Sequence, residues 1–149
     1  MKVEELRIGN LITVEGRIIT VRGIEADFND LTEYATVNDW AINLISPIPL
    51  TEERLMKLGA QSIPHFTIGN TKFFDIGRNR QLSVSCVGTP NCMVFIQDIG
   101  NDTMHEGNDP IVLHNYDYDG PLYVHTFQNL YFALTRKELV FTDGDTKHE

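Results

Sequence analysis

YVHTFQNLYFALTRKEL, residues 123–139, carries the clearest helical period in the chain. On a wheel advancing about 100° per residue, Tyr123, Val124, Phe127, Leu130, Tyr131 and Leu134 fall in one apolar arc. Phe132 projects from the opposite side, among His125, Gln128 and Asn129. A helix with an aromatic ring on the side that ought to be wet is either packed on two sides or offers a surface to a partner. His125, Gln128 and Asn129 stand three and four residues apart, so their side chains neighbour one another. With Phe132 they make the candidate binding set. The set lacks a nucleophile and a carboxylate, so the simpler reading is structural: the polar groups bond the backbone of an adjacent loop and Phe132 fills a gap.

Working back toward the N-terminus, residues 7–14 and 17–24 read as two strands joined at Glu15-Gly16, with Ile12, Val14, Ile19 and Val21 on alternating positions. Residues 31–37 and 42–48 offer two more. Four or five short strands with a tight turn look like a small SH3-like barrel over residues 1–48, an architecture that hosts many functions. Pro47-Ile-Pro49 forces extended backbone and marks a joint. A short helix follows, capped by Thr51, with Glu52 and Glu53 in its first turn, Leu50 and Leu55 at staple spacing, and Gly59 at its end. It is too short to persist alone, so Leu55, Met56 and Leu58 are expected to dock on a sheet. Residues 65–69, 72–76, 81–87, 92–97 and 111–116 read as an antiparallel meander, residues 139–141 as one short strand, and residues 142–149 as a frayed tail. The expected fold class is therefore α+β: an SH3-like N-terminal barrel, then a second antiparallel sheet over residues 49–149 packed by the C-terminal helix.

The 149 residues, 42% of them hydrophobic, suffice for one core or two small ones. A net charge of −9 repels phosphate backbones and argues against nucleic-acid or anionic-membrane binding. Trp40, Tyr34 and Phe28 could stack on bases, but the first 48 residues hold no basic excess. Between Arg80 and Arg136 there is no lysine or arginine, while Asp98, Asp102, Glu106, Asp109, Asp117 and Asp119 lie in that interval. No apolar run approaches the roughly 20 residues of a membrane span, and MKVEELRIGNL lacks the pattern of a secretion signal, so a cytoplasmic location is expected.

Candidate chemistry is thin. Asp109, His114, Asp117 and Asp119 are metal-type donors, but Asp117-x-Asp119-Gly120 lacks the remaining ligands of a calcium loop, so neither a metal nor a cofactor is expected. Cys86 and Cys92 flank the turn-like Gly88-Thr-Pro-Asn91. Pairing of Val87 with Cys92 would set the two thiols on opposite faces of the hairpin, as free, buried groups.

Three segments, LRIGNLI at 6–12, PIPLTEERLMKLG at 47–59 and VHTFQNLYFALT at 124–135, together resemble a group of small proteins of Bacteroides-type gut bacteria, their phages and mobile elements. The group tends to leucine where Phe127 stands, glutamine at Thr126 and glycine at Arg136, so the resemblance leaves a glycine-terminated helix in question here. It transfers no catalytic residue. The functional expectation is a noncatalytic protein-interaction or accessory module of phage or mobile-element origin. Its partner is another protein or a second copy, bound through Phe132 and its surroundings or through the acidic region. The alternative is a small enzyme with a site between the two units, using His125 or a cysteine.

Overall fold

Residues 5–24, 34–37, 45–62, 71–98 and 110–142 are described by the computed structural model. Two units emerge: one made of Met1–Pro49 and Tyr123–Glu138, the other of Leu50–Leu122 and Leu139–Glu149. The class is α+β, with one sheet in each unit.

In the first unit, β1 (Leu11–Val14) and β2 (Arg17–Ile24) form the expected hairpin, in register Ile12 to Ile19 and Val14 to Arg17. Glu15 and Gly16 both adopt positive φ, 49° and 79°, the combination that lets a two-residue loop follow the strand twist. The predicted alternation holds: Ile12, Val14, Ile19 and Val21 are buried and form one cluster with Leu6 and Ile45. β4 (Ile45–Ser46) pairs antiparallel with β1, while β3 (Tyr34–Val37) runs parallel to β2. The order β3-β2-β1-β4 leaves this sheet open, so the expected SH3-like closure is not formed by the described strands. Closure would require the two outer strands to meet, and β4 spans only two residues.

The long helix, α3 (Val124–Thr135), also belongs to the first unit, against the expectation that it packs the second sheet. Pro49 bridges Tyr123 and the Val124 N–H donates to the Ile48 carbonyl at 2.8 Å, so the chain leaves this unit after Pro49 and re-enters beside its point of exit. The buried face is Val124, His125, Phe127 and Gln128. Tyr123, Leu130 and Tyr131 are half-buried and Leu134 is 39% exposed. The helix is thus rotated toward its polar side relative to the apolar arc. It ends on Arg136 at φ 61°, whose N–H donates to the Phe132 carbonyl at 2.7 Å. The chain adopts the left-handed stop that glycine favours, with an arginine in place. Arg136→Gly is expected to raise the unfolding free energy by about 1 kcal/mol in urea titrations, by relieving the Cβ clash of that conformation.

In the second unit, α1 (Glu52–Lys57) starts as read: Thr51 Oγ1 accepts the Arg54 N–H at 3.2 Å, and Gly59 at φ 99° closes the far end. Leu50, Leu55 and Leu58 are buried, but Met56 is exposed rather than docked. Residues 139–141 form no strand. Thr142, expected in the frayed tail, donates both its N–H and its hydroxyl to the Lys57 carbonyl, at 2.8 and 2.9 Å, and so satisfies one orphan acceptor of α1.

β5 (Gln61–Ser62), β6 (Lys72–Gly77), β7 (Arg80–Ser85), β8 (Met93–Asp98) and β9 (Ile111–Asn115) make an antiparallel meander in chain order. The strand expected at residues 65–69 lies outside the described residues. Cys86 leaves the ladder at φ 52°, Ser85 rather than Cys86 pairs with Met93, and the cysteine carbonyl accepts the Thr89 N–H and hydroxyl. The turn therefore begins earlier than expected. Both cysteines are free, Cys92 buried and Cys86 half-buried. α2 (Tyr116–Asp119) is a single turn that begins at Tyr116, the residue read as the end of the last strand. Among the described residues no helix is long and apolar enough to cross a membrane.

Candidate functional site

Residues 7–10, Arg-Ile-Gly-Asn, build one half of the site. The Arg7 N–H donates to Asn10 Oδ1 at 2.6 Å and the Asn10 N–H to the Arg7 carbonyl at 3.0 Å, which folds the segment into a tight turn. Gly9 sits at φ 96°, a conformation that calls for glycine, and a Cβ there would lie 3.0 Å from the carboxylate end of the exposed Glu138 side chain.

α3 supplies the other half. Gln128, fully buried, accepts the Leu11 N–H at 2.8 Å and the Asn10 side-chain N–H at 3.4 Å through Oε1, and donates through Nε2 to the Gly9 carbonyl at 3.3 Å. Its amide does for Gly9 and Leu11 what a neighbouring strand would do. Asn129 donates to the Glu5 carbonyl at 2.9 Å and accepts from Asn10 Nδ2 at 2.9 Å and Arg7 Nε at 3.2 Å.

Arg7 closes the rim. Its guanidinium bonds both Glu138 carboxylate oxygens, donates to the Ile8 carbonyl at 3.1 Å, and lies 4.0 Å above the centre of the Phe132 ring. The open question about Phe132 thus has a definite answer: the ring is half-buried, with one face under Arg7.

His125 is buried against the same segment, stacked on Tyr123 with ring centres 6.0 Å apart, and its Nε2 lies 3.8 Å from a Glu5 carboxylate oxygen. Nδ1 has no hydrogen-bond partner. Burial holds its pKa below the ordinary 6.5, outweighing the upward pull of Glu5. As the pH falls below 6.5 the unfolded chain takes up a proton that the folded chain resists, so stability is lost on acidification and regained toward neutrality. Wild-type protein should therefore melt lower at about pH 5.5 than at about pH 7, and His125→Gln should flatten that part of the slope. An unchanged slope would show that other groups set the acid sensitivity.

All four side chains singled out from the sequence are brought together here, yet His125 and Gln128 are buried and the amides of Gln128 and Asn129 are committed to hydrogen bonds within the unit. Sequence reasoning missed Arg7, Asn10 and Glu138. The only signal for them was the Gly-Asn turn, since nothing local ties residue 7 to residue 129.

The other candidates separate. His114 Nε2 contacts the Gly120 carbonyl at 3.0 Å, and Asp119 Oδ2 accepts the Asn115 N–H at 2.9 Å, so these donors fold the β9–α2 corner. Asp109 lies outside the described residues, as do Trp40 and Phe28. Among the described residues no three histidine, cysteine or carboxylate groups converge on a metal-sized site. Burial, reinforced by Cys86, pushes the Cys92 thiol up, the wrong direction for a nucleophile.

Several large apolar side chains are exposed among the described residues, Ile8, Ile18 and Val140 among them. Ile111 (62% exposed) and Val112 (48%) lie on β9, the outermost strand of its sheet, and Tyr118 (89%) stands on the following turn. No family model matches the chain, and searches of curated proteins and solved structures find no match either.

Proposed function

We propose that this protein is a noncatalytic interaction module that contacts a protein partner through the β9–α2 edge of its second unit. The observation that carries the reading is the exposure of Ile111 and Val112 on an outer strand, with Tyr118 exposed on the turn that follows it. The commitment of Gln128 and Asn129 to internal hydrogen bonds, and of one Phe132 face to Arg7, moves the contact surface away from the helix. An accessory role fits the resemblance to proteins of gut bacteria and their mobile elements, and an incomplete SH3-like barrel fits the first unit as a scaffold.

A photo-crosslinking amino acid placed at Tyr118 tests it. The expected result is one protein captured repeatedly from lysate of the producing cells, and lost when Ile111→Lys and Val112→Lys are introduced into a chain with unchanged melting. Capture that survives both lysines, or no capture at all, would sink the reading.

A further inference from the structure

The geometry points to the occupant of this edge: a cationic, extended segment of a different protein, added beside β9 as a sixth strand. This rests on the interaction reading above and specifies its partner.

Among the described residues β9 pairs with β8 alone, so its outer row of backbone donors and acceptors faces away from the sheet. Outer strands normally carry a lysine, a proline or an inward charge that blocks further pairing. Ile111-Val-Leu-His-Asn115 carries none of these, and its one irregularity, a register shift against β8 at Leu113, leaves Ile111 and Val112 as the regular stretch. Ile111 is aligned with Ile96 and Val112 with Phe95. Because successive side chains alternate, the two exposed residues flank the open edge on opposite faces of the sheet. An added strand would meet apolar surface on both faces, which suits two successive β-branched or apolar residues at its centre. The far end is closed, because the Asn115 N–H is taken by Asp119. Pairing is thereby confined to residues 111–114, the length of a short linear motif.

Charge selects among strands that could fit. Asp109 precedes β9 by two residues and Asp117 follows it by two, and no lysine or arginine occurs from residue 81 to residue 135. Asp117 is exposed, whereas Asp119 accepts the Asn115 N–H at 2.9 Å and Asp98, the carboxylate at the end of β8, is bonded to Arg80 at 3.1 Å. A second copy paired antiparallel through β9 would set the acidic flank of one strand against the acidic flank of the other, in a chain of net charge −9. A foreign segment with lysine or arginine on either side of its apolar centre meets attraction at those positions instead.

Two fluorescent seven-residue peptides with the same Val-Thr-Ile centre, one flanked by lysines and one by glutamates, provide the test by anisotropy. The lysine-flanked peptide should bind at least about tenfold tighter near 0.05 M salt, with the gap narrowing as salt screens the flanks. Its binding should slow hydrogen exchange at residues 111–114 and disappear in the Ile111→Lys/Val112→Lys chain, whose exposed positions leave the fold intact. Asp117→Asn should narrow the difference between the peptides. Equal binding of both peptides, exchange protection elsewhere, or a concentration-dependent dimer abolished by the same two lysines would overturn the proposal. If crosslinking at residue 118 still captures a partner in that case, only the identity of the occupant falls and the interaction reading stands.

Discussion

Gln128→Leu should lower the unfolding free energy by about 3 kcal/mol, because the change keeps the volume and removes every polar contact of the side chain. The Leu11 N–H and the Gly9 carbonyl then lose the partners that now sit at 2.8 and 3.3 Å. The Leu11 N–H is shut in, so water cannot replace the amide there without the helix lifting, while the Gly9 carbonyl is part-buried. An unsatisfied buried backbone group costs roughly 1–3 kcal/mol, and the part-buried Gly9 carbonyl adds to the loss at Leu11. Urea denaturation followed by circular dichroism gives the number. A loss below about 1 kcal/mol would mean that the helix relaxes to admit water, and that docking rests on apolar packing alone.

That contact also explains why the sequence identified α3 but misplaced it. Its period, its start near Tyr123 and its stop near Arg136 are local properties written in adjacent side chains. Its docking site is not local: Gln128 bonds Leu11, 117 residues away. A helical wheel sorts glutamine and histidine to the wet side because it weighs transfer to water and ignores a specific backbone acceptor. Here those two residues lie on the buried face, and Leu134, counted as apolar, lies largely outside it.

The first hairpin was legible for the opposite reason. Glu15-Gly16 fixes the loop length, and a slip of one residue would expose the whole row of Ile12, Val14, Ile19 and Val21. The Cys86–Cys92 turn lacked such a penalty. The positive φ of Cys86, rare for a residue with a side chain, begins the turn two positions before composition suggests. Thr142 was misread because a polar residue near a terminus looks free until the Lys57 carbonyl it serves is in place. The exposed edge of β9 could not be read at all, since which strand ends a sheet depends on the order of all five.

Phe127→Ala should destabilise the protein by about 3–5 kcal/mol, the range for deleting a buried ring where the surroundings cannot fully collapse. Phe127 is fully buried on α3, between Val124 and Gln128 on the same face. Phe127→Leu keeps most of the apolar volume and should cost under about 1.5 kcal/mol. The discriminating control is Leu134→Ala. If the apolar arc of the wheel were the docked face, Leu134 would approach Phe127 in cost. With 39% of its surface already in water, truncation removes little buried area, and the loss should stay under about 1 kcal/mol. Comparable losses at 127 and 134 would require the helix to be turned back toward its leucines. Gln128 would then leave Gly9 and Leu11, and Arg7 would lose the ring it covers.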